Sequence, residues 1–60
     1  MSSEIQDLRR EGWAIEISGE LVTAAHIIYG QKSMRKGNWT SADTACQLAS
    51  ELINEHKLEM

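Results

Sequence analysis

Towards its C-terminal end the chain repeats its apolar residues at helical spacing. Ala42, Ala45, Leu48, Ala49, Leu52 and Ile53 gather on one face of a helix, and Gln47, Ser50, Glu51 and Asn54 fall opposite. Thr40 and Ser41 suit a helix N-cap, and Asp43 puts negative charge in the first turn. The spacing predicts an amphipathic helix over 41–57.

The middle segment, WAIEISGELVTAAHIIYG, is apolar on two sides. Trp13, Ile17, Leu21, Ala24 and Ile28 form one helical stripe. Ile15, Val22 and Tyr29 recur every seven residues and form a second stripe roughly opposite. Only Glu16, Glu20 and Thr23, with His26 at the margin, make a polar sector. A helix over 14–29 would be apolar around most of its girth and would want burial on more than one side. Gly30 suits its C-terminus, while Gly19 inside it costs about 1 kcal/mol relative to alanine. Ile5 and Leu8 seal a short first helix over 3–11, ending at Gly12. Their phase disagrees with the later stripe, so the chain breaks at that glycine.

The expected fold is therefore all-α: one small domain over 1–60, with two or three helices at about 3–11, 14–29 and 41–57. A chain of this length buries only about 60% of the surface its unfolded form exposes. Cys46 is the only cysteine, so no internal disulfide supplements the core. The first helix offers only Ile5 and Leu8, too little to cover the stripe of Ile15, Val22 and Tyr29. That stripe is the expected interface of a homodimer, two copies forming a helical bundle.

Residues 13–17 also fit a strand, because Trp13, Ile15 and Ile17 alternate with Ala14 and Glu16. A lone strand cannot satisfy its backbone and would need a partner chain. Strand, helix, helix over 13–57 resembles the ribbon–helix–helix dimers. Gly37-Asn38-Trp39-Thr40-Ser41-Ala42-Asp43 is similar to the glycine–aromatic–serine lead-in to the second helix of antitoxins in that family. The resemblance implies an intertwined dimer reading DNA with its ribbon. The connection Gly30–Thr40 is longer than that family's, and Ala14 and Glu16 would face the bases, where a carboxylate repels phosphate.

Charge and chemistry narrow the functions. The formal net charge is -3, charged residues are 25% and apolar residues 42%, as in an ordinary folded protein. No apolar run is long enough to span a membrane, and the polar start MSSEIQDLRR lacks a secretory segment, which points to the cytoplasm. Against the acidic background stand Lys32, Arg35 and Lys36, with Trp39 beyond them. These four are the candidate partner-binding residues, since arginine and tryptophan are enriched at binding hot spots. Their plain alternative is a solvated connection between helices, with Trp39 folded back on the last one. Three phosphate contacts would give a salt slope of only about -2.7, far from a strong DNA binder.

No catalytic, metal or cofactor set emerges. Cys46 would need a basic partner to be a nucleophile, and nothing positions His26 or His56 beside it. His56 suits the last turn of a helix as a cation. Glu16 with Glu20, and Glu51 with Glu55, are carboxylate pairs without the histidine spacing of a di-metal site. The expectation is a non-enzymatic adaptor, regulator or inhibitor that works by protein contact, without cofactor, membrane or small-molecule substrate. By analogy it suits the small acidic regulators of phages and mobile elements. The alternative is a dimeric DNA-binding transcriptional regulator, ribbon–helix–helix or antitoxin-like, using the basic loop 32–36.

Overall fold

The structure, a computed structural model, describes residues 3–59. Five elements follow in order: α1 (Ser3–Arg10), β1 (Ala14–Ser18), β2 (Leu21–His26), β3 (Gly30–Arg35) and α2 (Ser41–Glu59). The strands form one antiparallel sheet in the order β1-β2-β3. Both helices cover the same face of it, α1 over β1 and α2 over β2 and β3.

This α+β arrangement corrects the all-α expectation, and with it the helical bundle. The outer helices stand where their spacing put them. The helix expected over 14–29 is instead a hairpin, because its two stripes were two strands counted at the wrong period. Ile15 pairs with Ala24 and Ile17 with Val22, so residues from both stripes share one sheet face. The strand alternative for 13–17 is close to β1, but its partner is β2 of the same chain rather than a second chain. The stretch 32–36 is no loop either: Lys32 and Arg35 lie on β3, and Lys36 directly follows it.

Two glycines enforce the breaks. Gly12 has a φ of 105° and ends α1 as the C′ residue of a Schellman motif: Trp13 N–H donates to Leu8 O at 3.0 Å, and Gly12 N–H to Arg9 O at 3.2 Å. Gly19 has a φ of 59° and Glu20, like every other non-glycine among the described residues, has a negative one. Glycine first in a two-residue loop is the type II′ pattern, whose twist matches the strands it joins. A side chain would resist both conformations, and a continuous helix is incompatible with either.

The core lies between sheet and helices. Val22, Ala24, Ala45 and Leu48 are wholly shielded, flanked by Ile5, Trp13, Ile15, Ala49 and Leu52. The small side chains of Ala24, Ala45 and Ala49 let α2 approach β2, and Leu48 fills the space between. Full burial of such a leucine is worth about 1.5–3 kcal/mol. Thr44, also buried, donates its hydroxyl to Thr40 O at 3.0 Å and so keeps no orphaned polar group.

The other sheet face is uncovered. Its cross-strand rows are Ala14–Ala25–Gln31, Glu16–Thr23–Ser33 and Ser18–Leu21–Arg35. Thr23 and Ser33 share a hydroxyl hydrogen bond of 2.7 Å across it. At the β1 edge, Arg9 donates to Ile15 O at 3.2 Å and occupies a backbone acceptor that would otherwise face a neighbour.

Candidate functional site

Trp39 lies in the bend between β3 and α2. Its backbone N–H donates to Lys36 O at 2.7 Å. The next residue, Thr40, caps α2 by accepting Asp43 N–H on its hydroxyl at 3.2 Å. Turn and cap fix the backbone on either side of the indole, which is 47% exposed. It borders a shallow groove of about 410 Å³, lined by Glu4 of α1 and by Asp43, Cys46, Gln47 and Ser50 of α2.

The groove is electronegative. Cys46 donates its thiol to a Glu4 carboxylate oxygen at 3.7 Å. Burial first, then the charges of Glu4 and Asp43, push that thiol above its ordinary pKa of 9.0. It therefore stays protonated at neutral pH and is a poor nucleophile. Among the described residues no cation lines the groove.

The basic residues do not join Trp39 in one patch. The period-two alternation of β3 turns Lys32 towards α2, where its ammonium lies 3.3 Å from Glu55 and 3.6 Å from Glu51. Arg35 lies on the uncovered face opposite Leu21, and Lys36 is half-buried, its backbone N–H bound to Glu20 O at 2.8 Å. Of the four candidate contact residues, only Trp39 lines the groove.

The residues assigned to a dimer interface lie within one chain. Ile15 and Val22 are buried in its core. Tyr29, half-buried, stacks on Trp13 at 5.6 Å between ring centroids and meets the edge of His56 at 5.0 Å. His26 completes this aromatic cluster. Its Nδ1 accepts the Ile28 N–H at 3.1 Å, which leaves Nε2 as the donor to Glu11 O at 3.2 Å. Both histidines are thus packed at the opposite end of the sheet from Trp39.

Glu16 and Glu20 are not neighbours on a helix face: one lies on the open sheet face and the other in the hairpin turn. Glu51 and Glu55 are such neighbours, and they hold Lys32. Among the described residues no group of three or more His, Cys, Asp or Glu side chains converges to hold a metal, and no helix is long and apolar enough to cross a membrane.

Sequence reasoning singled out Trp39 but missed its setting. Glu4 and Cys46 are 42 positions apart, and no spacing rule relates them. The polar side of the last helix, Gln47 and Ser50, was visible as a solvent face but not as one wall of a groove. Comparison of the chain with protein families, with curated proteins and with solved structures finds no match that would assign this arrangement to a known group.

Proposed function

We propose that the chain does no chemistry of its own and acts as a small adaptor, regulator or inhibitor, holding another protein through Trp39 and the groove between α1 and α2. The observation that carries this is the indole, a large aromatic half-exposed on a backbone fixed by a hydrogen-bonded turn and a helix cap. An amphipathic ring with only two side-chain torsions loses little conformational freedom on binding, and tryptophan is the kind of residue on which binding energy concentrates. A catalytic role draws no support, because the one thiol is kept protonated and both imidazoles belong to the aromatic cluster.

The DNA-binding alternative draws less support than the sequence offered it. Lys32 is engaged by two carboxylates, and the open sheet face sets Glu16 in line with Thr23 and Ser33. Arg35 and Lys36 remain, too few to offset the net charge of -3 along a phosphate backbone.

The test is site-specific photocrosslinking in the cells that make the protein, with the reactive group at position 47, in the groove beside an intact Trp39, or, as a control, at Thr23 on the open face. The expected result is a discrete heterologous adduct from position 47 alone. Excess unlabelled chain should suppress it, and excess Trp39→Ala should not. No adduct, or equal competition by both chains, overturns the proposal.

A further inference from the structure

Resting on that proposal, we infer that the groove takes a cationic segment of the partner, with an arginine laid across the Trp39 indole and its guanidinium turned towards Glu4 and Asp43. The walls of the groove select the charge. Glu4 and Asp43 are both exposed, and among the described residues neither is ion-paired; the ion pairs use Asp7, Glu51 and Glu55 instead. Their combined field reaches Cys46, whose proton they help to retain. An acidic or phosphorylated segment would be repelled here, and a purely apolar one would strand two carboxylates against it.

The side chain follows from the ring beside the charges. A cation over an indole face is attracted to its quadrupole. Arginine combines that contact with a planar fork of donors matched to carboxylates, which the compact lysine ammonium does not offer. Gln47 and Ser50 line the remainder of the groove and can bond a passing peptide backbone. From Asp43 to Ser50 the helix advances about 10 Å, the reach of roughly three residues of extended chain. Short length and exposed charges predict a weak, salt-sensitive contact.

The probe is the synthetic peptide acetyl-Ala-Arg-Leu-Arg-Ala-amide, titrated into the nitrogen-15-labelled full-length chain. The readouts are the Trp39 indole N–H, identified by its absence from Trp39→Phe, and the amides of Asp43, Cys46, Gln47 and Ser50. These signals should move together on a saturable curve, weakening at least about threefold in 0.5 M salt. The Glu4→Gln/Asp43→Asn double variant, its fold checked by its amide spectrum, should lose the response. Neither a peptide with glutamate in place of both arginines nor an apolar one with leucine there should bind. If an apolar or acidic peptide moves the Trp39 indole and the arginine peptide does not, the cationic partner is overturned and the docking site stands. An arginine response undiminished in the double variant, or mapping to the open sheet face, also overturns the inference. If none of the three peptides reaches the indole, the inference and the proposed docking site fall together.

Discussion

Lys32 turns inward from the edge strand β3 and sets its ammonium 3.3 Å from the carboxylate of Glu55 on α2. Glu51 stands beside them, with a buried carboxylate oxygen 3.6 Å from the same nitrogen, an ion pair without a hydrogen bond. The residue that opens the basic stretch in sequence thus clamps the sheet to the long helix.

That clamp has a pH signature. The hydrogen bond to Glu55, assisted by the charges of Glu51 and Glu55, raises the Lys32 pKa above its ordinary 10.5 and outweighs partial desolvation. A pKa higher in the folded than in the unfolded chain means that the contribution is fully present below about 10.5 and is lost as pH rises through the folded value. The melting temperature of the wild type should exceed that of Lys32→Gln by a constant margin from neutral pH to about 10, and the margin should then shrink. A margin unchanged well above that range would mean that the charge of Lys32 is not what stabilises.

The same lysine guards an edge. β3 presents unpaired backbone groups on its outer side, and a charge on the inner face of an edge strand disfavours pairing with another chain, because docking would bury it. Lys32→Ile removes that guard and adds a β-forming side chain. Light scattering should show a mass that climbs with concentration for Lys32→Ile and stays level for Lys32→Gln. Level masses for both would assign the protection elsewhere.

Gly12 and Gly19 should respond differently to alanine. At Gly19 a Cβ would meet nothing within 4 Å, so Gly19→Ala bears only the left-handed backbone penalty, about 1–2 kcal/mol. At Gly12 the Cβ would come 3.1 Å from His26 Nε2, the atom that donates to Glu11 O. His26 is held from its other side by the Ile28 N–H and rests on Trp13 at 4.8 Å, so it has little room to yield. Gly12→Ala should lose at least about 1 kcal/mol more than Gly19→Ala in denaturant melts. Equal losses would show that the ring moves aside freely.

The last helix was legible because the period of its apolar residues matches only one structure and Thr40 marks its start, and the first because Gly12 ends the segment that carries Ile5 and Leu8. The sheet was not, because Ile15 and Val22 fit a step of seven in a helix as well as alternation in two strands. Gly19 held the answer: between Ser18 and Glu20 it reads as a costly helix interior or as the first residue of a type II′ turn. Only the pairing of Ile17 with Val22 shows which. Misreading the hairpin also misplaced the apolar surplus: Ile15 and Val22 are core residues of one chain, while Ile17, Leu21, Ile27 and Ile28 are the large apolar side chains of that segment left exposed. The stretch 32–36 reads as a loop between helices, but on β3 Lys32 and Arg35 stand three positions apart and point to opposite sides of the sheet. Trp39 lies outside every strand and helix, so its place in the bend does not depend on the period assigned to its neighbours.

The fate of Val22 separates a self-contained core from a shared one. Its side chain is wholly buried between β2 and α2 of its own chain. Val22→Ala removes about two methylene equivalents and leaves a void, a loss of about 2–3 kcal/mol. A chain of this size has only about 3–9 kcal/mol of stability to lose, so the variant should melt far earlier or be partly unfolded at room temperature. Because the burial is intramolecular, the wild-type melting temperature should be the same at micromolar and near-millimolar protein, and the loss in Val22→Ala should be equally independent of concentration. A wild-type melt that rises with concentration, and ceases to do so in Val22→Ala, would return Val22 to an interface between subunits.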